Sequence, residues 1–303
     1  MRCLFLLGAH RSGTTWLHQL LASSPQLAFL SYADIRQQLN PCKEPLPVDQ
    51  LERELQANGS DRGFDGVALG AHLPEEYGFV LEQRGLDLYA NRQVSNTNFS
   101  PLRSLVEHKQ WQHPNLPFLL LKNPSDFYDG FLRLVEAFPD SSFIFLHRHP
   151  MAVFRSQVLA SRQLASTRNS YLASLDAEYG RMFDDPVRQV AMQFALHSRE
   201  GLERIVLALA KACDFQLAHQ DSLQGDHVGL RYEDLCADPQ AQLARLCCAL
   251  GLKMLAAPPL RLGSHTRVLK DDPLIQEVFT DHANRFKPYG DWQGYSLDGT
   301  ERA

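Results

Sequence analysis

The chain has 303 residues, 44% of them apolar and 21% charged, with a formal net charge of −5. That length carries one large domain, or one domain with insertions, and that apolar share fills a substantial core. The negative balance, with no long basic run to offset it, counts against nucleic acid as a partner.

The first element is the apolar run Cys3-Leu4-Phe5-Leu6-Leu7, read as a strand. The run is too short for a signal peptide or anchor, and no later run nears twenty apolar residues. The expectation is a soluble, cytoplasmic protein without a membrane anchor. Gly8-Ala9-His10-Arg11-Ser12-Gly13-Thr14-Thr15-Trp16 follows directly. Gly8 and Gly13 have the Walker spacing, but Thr14-Thr15 stands where a nucleoside triphosphatase carries Lys-Ser/Thr. Trp16, Leu17, Leu20 and Leu21 then share one face of a helix. A strand, a glycine-bracketed turn and a helix start form a phosphate cradle. First-turn amides have no intrahelical partner, and the helix dipole adds positive charge there. Ser12, Gly13, Thr14, Thr15 and Trp16 would supply the donors and Arg11 the charge.

Residues 36–75 break the pattern with Asn40-Pro41, Pro45, Pro47, Asn58-Gly59 and Gly63, around one short charged helix near 48–57. Phe118–Leu121 before Lys122 and Phe143–Leu146 before His147-Arg148 read as buried strands. Between them Phe127, Phe131, Leu134, Val135 and Phe138 fit one amphipathic helix. Pro150 suits the first position of the next helix, with Met151, Phe154 and Val158 toward the core. Residues 157–205 read as helical, with polar and aromatic residues mixed. Val228–Leu230 before Arg231 is another strand. Asp238-Pro239 starts a helix striped by Leu243, Leu246, Cys247 and Leu250, and Gly251 stops it. The alternation implies an α/β fold, a parallel β-sheet flanked by helices on both faces, in a single domain over 1–303. Segments 36–75 and 157–205 are then acceptor-side insertions or plain solvated ones. The six cysteines (3, 42, 213, 236, 247, 248) show no C-x-x-C pairing and read as reduced thiols.

Three of these strands end in cations. In open α/β sheets ligands sit beyond the carboxyl ends of the strands, so Lys and Arg rim the crevice. A magnesium–nucleotide enzyme needs an acidic strand end to hold its metal. His147 and His149 lie two apart without an evident third ligand, so no metal is expected.

Arg-Ser-Gly-Thr-Thr-Trp at 11–16 resembles the 5′-phosphosulfate loop of sulfotransferases that use 3′-phosphoadenosine 5′-phosphosulfate (PAPS), a family with a P-loop-like fold. Phe138 to Pro150, followed by Ser156, resembles the family's 3′-phosphate motif. Leu119–Pro124 resembles its lysine-bearing strand, Arg231–Leu235 its downstream nucleotide-contacting segment, and Lys287–Trp292, more loosely, its C-terminal Gly-Asp-Trp region. The resemblance implies that PAPS is the co-substrate, and that Arg11 and Lys122 stabilise charge on the leaving nucleotide. It gives Arg148 and Ser156 the 3′-phosphate, with help from Lys287, and gives Tyr232 a nucleotide contact. Plainer roles stand beside these: a strand-capping lysine, an arginine in a surface ion pair, a half-buried tyrosine.

The family's usual histidine, two residues after the lysine, is replaced by Pro124. Leu73–Phe79 resembles a Pro-Glu-Glu segment of bacterial relatives, making Glu76, then Glu75, with His72 behind, the general-base candidates. The alternative is that both glutamates are exposed acids at a helix start. The competing functions are a P-loop kinase or nucleoside triphosphatase, against which the missing Walker lysine counts, and a non-catalytic nucleotide-binding protein. Neither the acceptor nor the oligomeric state is legible.

Overall fold

The computed structural model describes residues 1–40, 44, 47–57, 59, 61–88, 98–222, 227–253 and 272–297. The apolar runs become parallel strands β1 (Arg2–Leu7), β2 (Leu27–Phe29), β3 (Phe118–Lys122), β4 (Ser142–His147) and β5 (His227–Arg231), in spatial order β2-β3-β1-β4-β5. β1 is central: it pairs with β3 on one side and β4 on the other. The chain therefore leaves β1 where the strand order reverses, the place at which such sheets bind ligands. Lys122 pairs in register with Leu6, and His147 with Arg231, so the cationic ends gather around the loop after β1.

The inner strands β1, β3 and β4 are buried on both faces, as a parallel sheet requires, whereas the edge strand β5 buries only Val228 and Leu230, on the α1 side. Leu4 and Leu6 point to a core shared with α1 (Thr14–Ala22). Phe5 and Leu7 point to a larger opposite core. Along the chain, α2 (Tyr32–Leu39) and α3 (Val48–Ala57) precede α4 (Gly78–Leu81) and α5 (Ser100–Gln112). The larger core takes residues of α6 (Phe131–Ala137), α7 (Pro150–Ser166), α8 (Ser170–Leu175) and α9 (Ala177–Arg181). It also takes residues of α10 (Pro186–His197), α11 (Arg199–Ala218) and, past α12 (Tyr232–Ala237) and α13 (Pro239–Leu250), α14 (Pro273–Gln293). α13 packs on the α1 side through Leu243, Leu246, Cys247 and Leu250.

Local signals act as read. Asp238 caps α13 by accepting from the Ala241 amide, and Gly251 ends it at φ 66°. Pro150 opens α7 behind His149, whose ring nitrogen accepts from the Met151 amide. Phe154 and Val158 are buried there, and Met151 is half-buried. The single helix expected over 127–138 is instead a 3-10 turn, Pro124–Phe127, followed by α6. Asp126 is the cause: it accepts from Tyr77 Oη at 2.5 Å and Asn123 Nδ2 at 2.8 Å, and Gly130 folds tightly against it. Phe127 and Phe131 remain buried, so the apolar spacing survives the break. β2, only three residues long, was not anticipated.

Within 36–75, α3 matches the expected helix. Residues 61–68 form a short loop closed by a bridge between Asp61 and Ala68. Pro41, Cys42, Pro45 and Asn58 lie outside the described residues. The helices α7 to α11 account for 157–205. Cys3, Cys213, Cys236, Cys247 and Cys248 are free thiols, and burial pushes Cys3 up to about 12. Among the described residues no helix is long and apolar enough to cross a membrane.

Candidate active site

The loop Gly8–Gly13 is shaped by two left-handed residues, Arg11 at φ 71° and Gly13 at φ 100°. Arg11 is the one non-glycine residue with positive φ among the described residues. That geometry costs about 1–2 kcal/mol for a residue with a side chain, a strain typical of functional loops. Arg148 Nη1 donates to the Arg11 carbonyl at 2.9 Å and helps hold the twist. Gly8 is required by space: a Cβ there would lie 2.6 Å from Ser12 Oγ and 2.7 Å from the Leu146 carbonyl. Gly13 is the N-cap of α1 and supplies no capping side chain, so no N-cap group accepts from the first-turn amides of Thr14, Thr15 and Trp16. Ser12 is 1% exposed and, among the described residues, its Oγ has no hydrogen-bond partner. A buried hydroxyl without a partner beside an uncapped helix start fits an anion's oxygens.

On the β4 side, Arg148 lies with its guanidinium carbon 4.4 Å from the centre of the Tyr232 ring. Tyr232 in turn packs on Gly13, where a Cβ would meet its ring at 2.5 Å. Ser156 Oγ accepts from Arg11 Nε at 3.3 Å. Arg148, Ser156 and Tyr232 are therefore joined to the loop through direct contacts. Trp16 faces the α1-side core rather than the rim of the loop. Lys287 is exposed on α14. It lies two residues before Tyr289, which bonds His147 at 2.8 Å, so the two occupy opposite faces of the helix. No contact brings Lys287 to the loop among the described residues.

On the β3 side, Lys122 is 1% exposed, and its ammonium donates to Thr15 Oγ1 at 2.7 Å and to Glu76 Oε1 at 2.6 Å. An ammonium has three donors, so one remains after these two. The two glutamates are not the exposed acids of a helix start; they divide sharply. Glu76 reaches the lysine with its side chain 17% exposed. Glu75 is 2% exposed and its carboxylate is engaged within the protein: Oε1 takes the Glu76 amide at 2.9 Å, and Oε2 takes Arg62 Nη2 at 2.9 Å and the Tyr171 hydroxyl. Glu75 thus fixes the backbone that aims Glu76, and it is not placed to take a proton from a substrate. His72 is exposed.

Burial alone would lower the pKa of Arg62, but the carboxylates of Glu75, Asp65 and Glu76 hold it above its ordinary value. Burial pushes Tyr171 well above the ordinary range, so it stays a neutral donor. Asp65 Oδ2 sits between Arg11 Nη1 at 3.7 Å and Arg62 Nη1 at 3.8 Å. His18, one turn beyond Thr14 on α1, is 1% exposed with Nε2 unpartnered. Burial first, then Lys122 and Arg62, drives its pKa well below 6.5, so the ring is neutral. Arg62, Asp65, Tyr171 and His18 were not anticipated. The dense run Asp61-Arg62-Gly63-Phe64-Asp65-Gly66 was the available signal for the first two.

The two histidines of His147-Arg148-His149 are spent on structure. His147 stacks among Phe145, Phe127 and Trp292, and burial lowers it to about 3. His149 Nδ1 accepts from Met151, so Nε2 carries the proton and donates to the Ser296 carbonyl at 2.9 Å. No cluster of three His, Cys, Asp or Glu side chains suited to a metal occurs among the described residues.

A model of the sulfotransferase family matches residues 3–256. The chain belongs to the sulfotransferase family. Two curated relatives are the omega-hydroxy-beta-dihydromenaquinone-9 sulfotransferases Stf3 of Mycobacterium bovis and Mycobacterium tuberculosis. Each is 25% identical over 272 residues, 82% of this chain and 62% of the relative. The chain thus spans less than two thirds of the length of those relatives. Among solved structures, sulfotransferase STF9 from Mycobacterium avium superposes with a TM-score of 0.55 at 18% identity, covering 99% of this chain and 78% of its own. Sulfotransferase STF1 from Mycobacterium tuberculosis gives 0.52 at 19%, covering 96% and 76%. These two likenesses concern the fold, a parallel sheet with flanking helices.

Proposed function

We propose that this sulfotransferase moves the sulfuryl group of PAPS to a hydroxyl of a small acceptor, with Glu76 as the general base. The observation that carries the reading is the buried Ser12 hydroxyl without a partner at an uncapped helix start, flanked by Lys122 and Arg148. PAPS would supply the sulfuryl group and a nucleotide leaving group on whose bridging oxygen charge gathers. The amides of Thr14, Thr15 and Trp16, with Ser12 Oγ and the guanidinium of Arg11, would bind the 5′ end. Arg148 and Ser156 would take the 3′-phosphate, Arg with a fork and Ser with a hydroxyl. Tyr232, held between Gly13 and Arg148, would wall the nucleotide.

In the transfer, the acceptor oxygen bonds to sulfur as the bond from sulfur to the bridging oxygen breaks. The acceptor's proton goes to the Glu76 carboxylate. The remaining N–H of Lys122 and the Arg11 guanidinium meet the charge left on the nucleotide. Positioning and electrostatics supply most of the acceleration in transfers of this kind. Lys122 has a double duty: the same ammonium holds the base and faces the leaving group, setting both ends of the reaction about one nitrogen. The curated relatives are named for an omega-hydroxy acceptor, which supports a hydroxyl here.

The test is a thermal-shift comparison. Ligand at about 100 times its dissociation constant adds roughly 2.7 kcal/mol of stability. 3′-Phosphoadenosine 5′-phosphate should raise the midpoint clearly and ATP with magnesium should not. The reverse pattern would overturn the donor assignment.

A further inference from the structure

Asp65 stands where the two halves of the site meet. Its carboxylate lies 3.7 Å from Arg11, on the phosphate loop, and 3.8 Å from Arg62, which pins Glu75 behind Glu76. Neither separation is a full hydrogen bond, so the carboxylate is shared between two guanidiniums and committed to neither. Its side chain is 6% exposed, which limits solvent screening. The loop that carries it has φ of 80° at Gly63 and 68° at Gly66, on either side of Phe64 and Asp65. The Phe64 ring centre is 6.0 Å from the Arg11 guanidinium carbon. Asp65 Oδ1 accepts from the Val67 amide at 3.1 Å and keeps the loop's turn.

This arrangement has an electrostatic consequence. On the reading that Arg11 binds the phosphosulfate, a donor arriving there puts negative charge beside an already negative Asp65. Like charges at such distances repel strongly where water is scarce. Arg62 offers the carboxylate a second seat, already within 3.8 Å. We propose that Asp65 is a positioning residue that passes from Arg11 to Arg62 when the donor binds, bracing the Nη1 side of Arg62 while Nη2 keeps Glu75 behind Glu76. The proposal rests on the donor reading above. Donor binding then favours the arrangement that aims the base.

The experiment needs no acceptor. Calorimetric titration with 3′-phosphoadenosine 5′-phosphate compares wild type, Asp65→Asn, Arg11→Ala and the double variant. Asp65→Asn keeps the Val67 acceptor and replaces the charged oxygen facing the two guanidiniums with a neutral NH2. It should tighten bisphosphate binding about fivefold, the upper end for releasing a partly exposed ion pair. In the Arg11→Ala background the same change should alter affinity less than twofold. Hydrogen exchange over residues 61–68 should change on bisphosphate addition in wild type but not in Asp65→Asn. Weaker or unchanged binding in Asp65→Asn, an equal gain without Arg11, or exchange that responds alike in both proteins overturns the proposal. Wild type that fails to bind the bisphosphate at all overturns the donor reading, and this proposal with it. Normal wild-type binding with an inert Asp65 overturns this proposal alone.

Discussion

Replacing Glu76 by Gln separates the base from the architecture around it. The side chain keeps its length and its oxygen still accepts from Lys122, so the contact persists without the charge. Lys122 is 1% exposed, and its ammonium then relies on Thr15 and an amide oxygen instead of a carboxylate at 2.6 Å. Removing one partner of a fully buried pair costs about 3–5 kcal/mol. Glu76 is partly open to solvent and Gln still accepts, so a loss of about 1–3 kcal/mol is expected. Donor binding should survive, because the ammonium loses a competing anion. Turnover should fall about 10²- to 10⁴-fold, the usual contribution of a general base. The assay is a pair: midpoint shift with 3′-phosphoadenosine 5′-phosphate, and release of that product from PAPS in the presence of alcohols and phenols. Turnover within twofold of wild type removes Glu76 as the base. Loss of the bisphosphate shift shows instead that Glu76 holds the donor site together.

Other perturbations test other links. Gly13→Ala places a Cβ 2.5 Å from the Tyr232 ring at a φ of 100°. It should cost about 2 kcal/mol or more, read as a lower urea midpoint, and should weaken bisphosphate binding as well. Arg148→Ala should abolish the bisphosphate shift while leaving a cooperative unfolding transition; an unchanged shift takes Arg148 out of the site. His147 is held neutral in the fold, with its pKa near 3 against 6.5 when free. Its unfolded form binds the extra proton first, so its contribution is complete above pH 6.5 and declines as pH falls toward 3. Between pH 6.5 and 5 that is about 2 kcal/mol. His147→Phe, which preserves a ring among its aromatic neighbours, should flatten the change in urea midpoint over this interval, and an equally steep profile would assign the effect to other groups.

Features fixed by short-range chemistry were legible in the sequence. The strand-turn-helix at 3–22, the cationic strand ends and the proline and aspartate caps of α7 and α13 each depend on neighbours a few residues apart. The misread helix at 127–138 shows where that reach ends. Its apolar spacing was sound, but Tyr77, remote in sequence, binds Asp126 and helps hold the turn before Gly130. Arg62, Asp65 and Tyr171 were missed for the same reason. The run 61–66 marks Arg62 and Asp65 only as a polar turn and nothing marks Tyr171; only the fold joins Tyr171 to Glu75 or Asp65 to Arg11. Glu75 and Glu76 were found together, but the sequence had no means of ranking them by burial.

The two groups of residues differ in what holds them, and this bears on how the acceptor is chosen. Lys122 and Arg148 sit at or just beyond the ends of buried strands, and Ser12 precedes a helix packed on the same sheet. Their positions follow from the central core. Glu76 depends on Glu75, which depends on Arg62 from the 36–75 segment and Tyr171 from the 157–205 segment. Glu76 is thus held where the 36–75 and 157–205 segments touch. Exchanging residues 166–185 alone for a different sequence should leave bisphosphate binding intact and lower turnover, since it removes Tyr171 from the Glu75 clamp. Restoring a tyrosine at 171 should recover turnover without moving donor affinity. If that exchange abolishes bisphosphate binding as well, the donor site is not independent of this segment and the division is wrong.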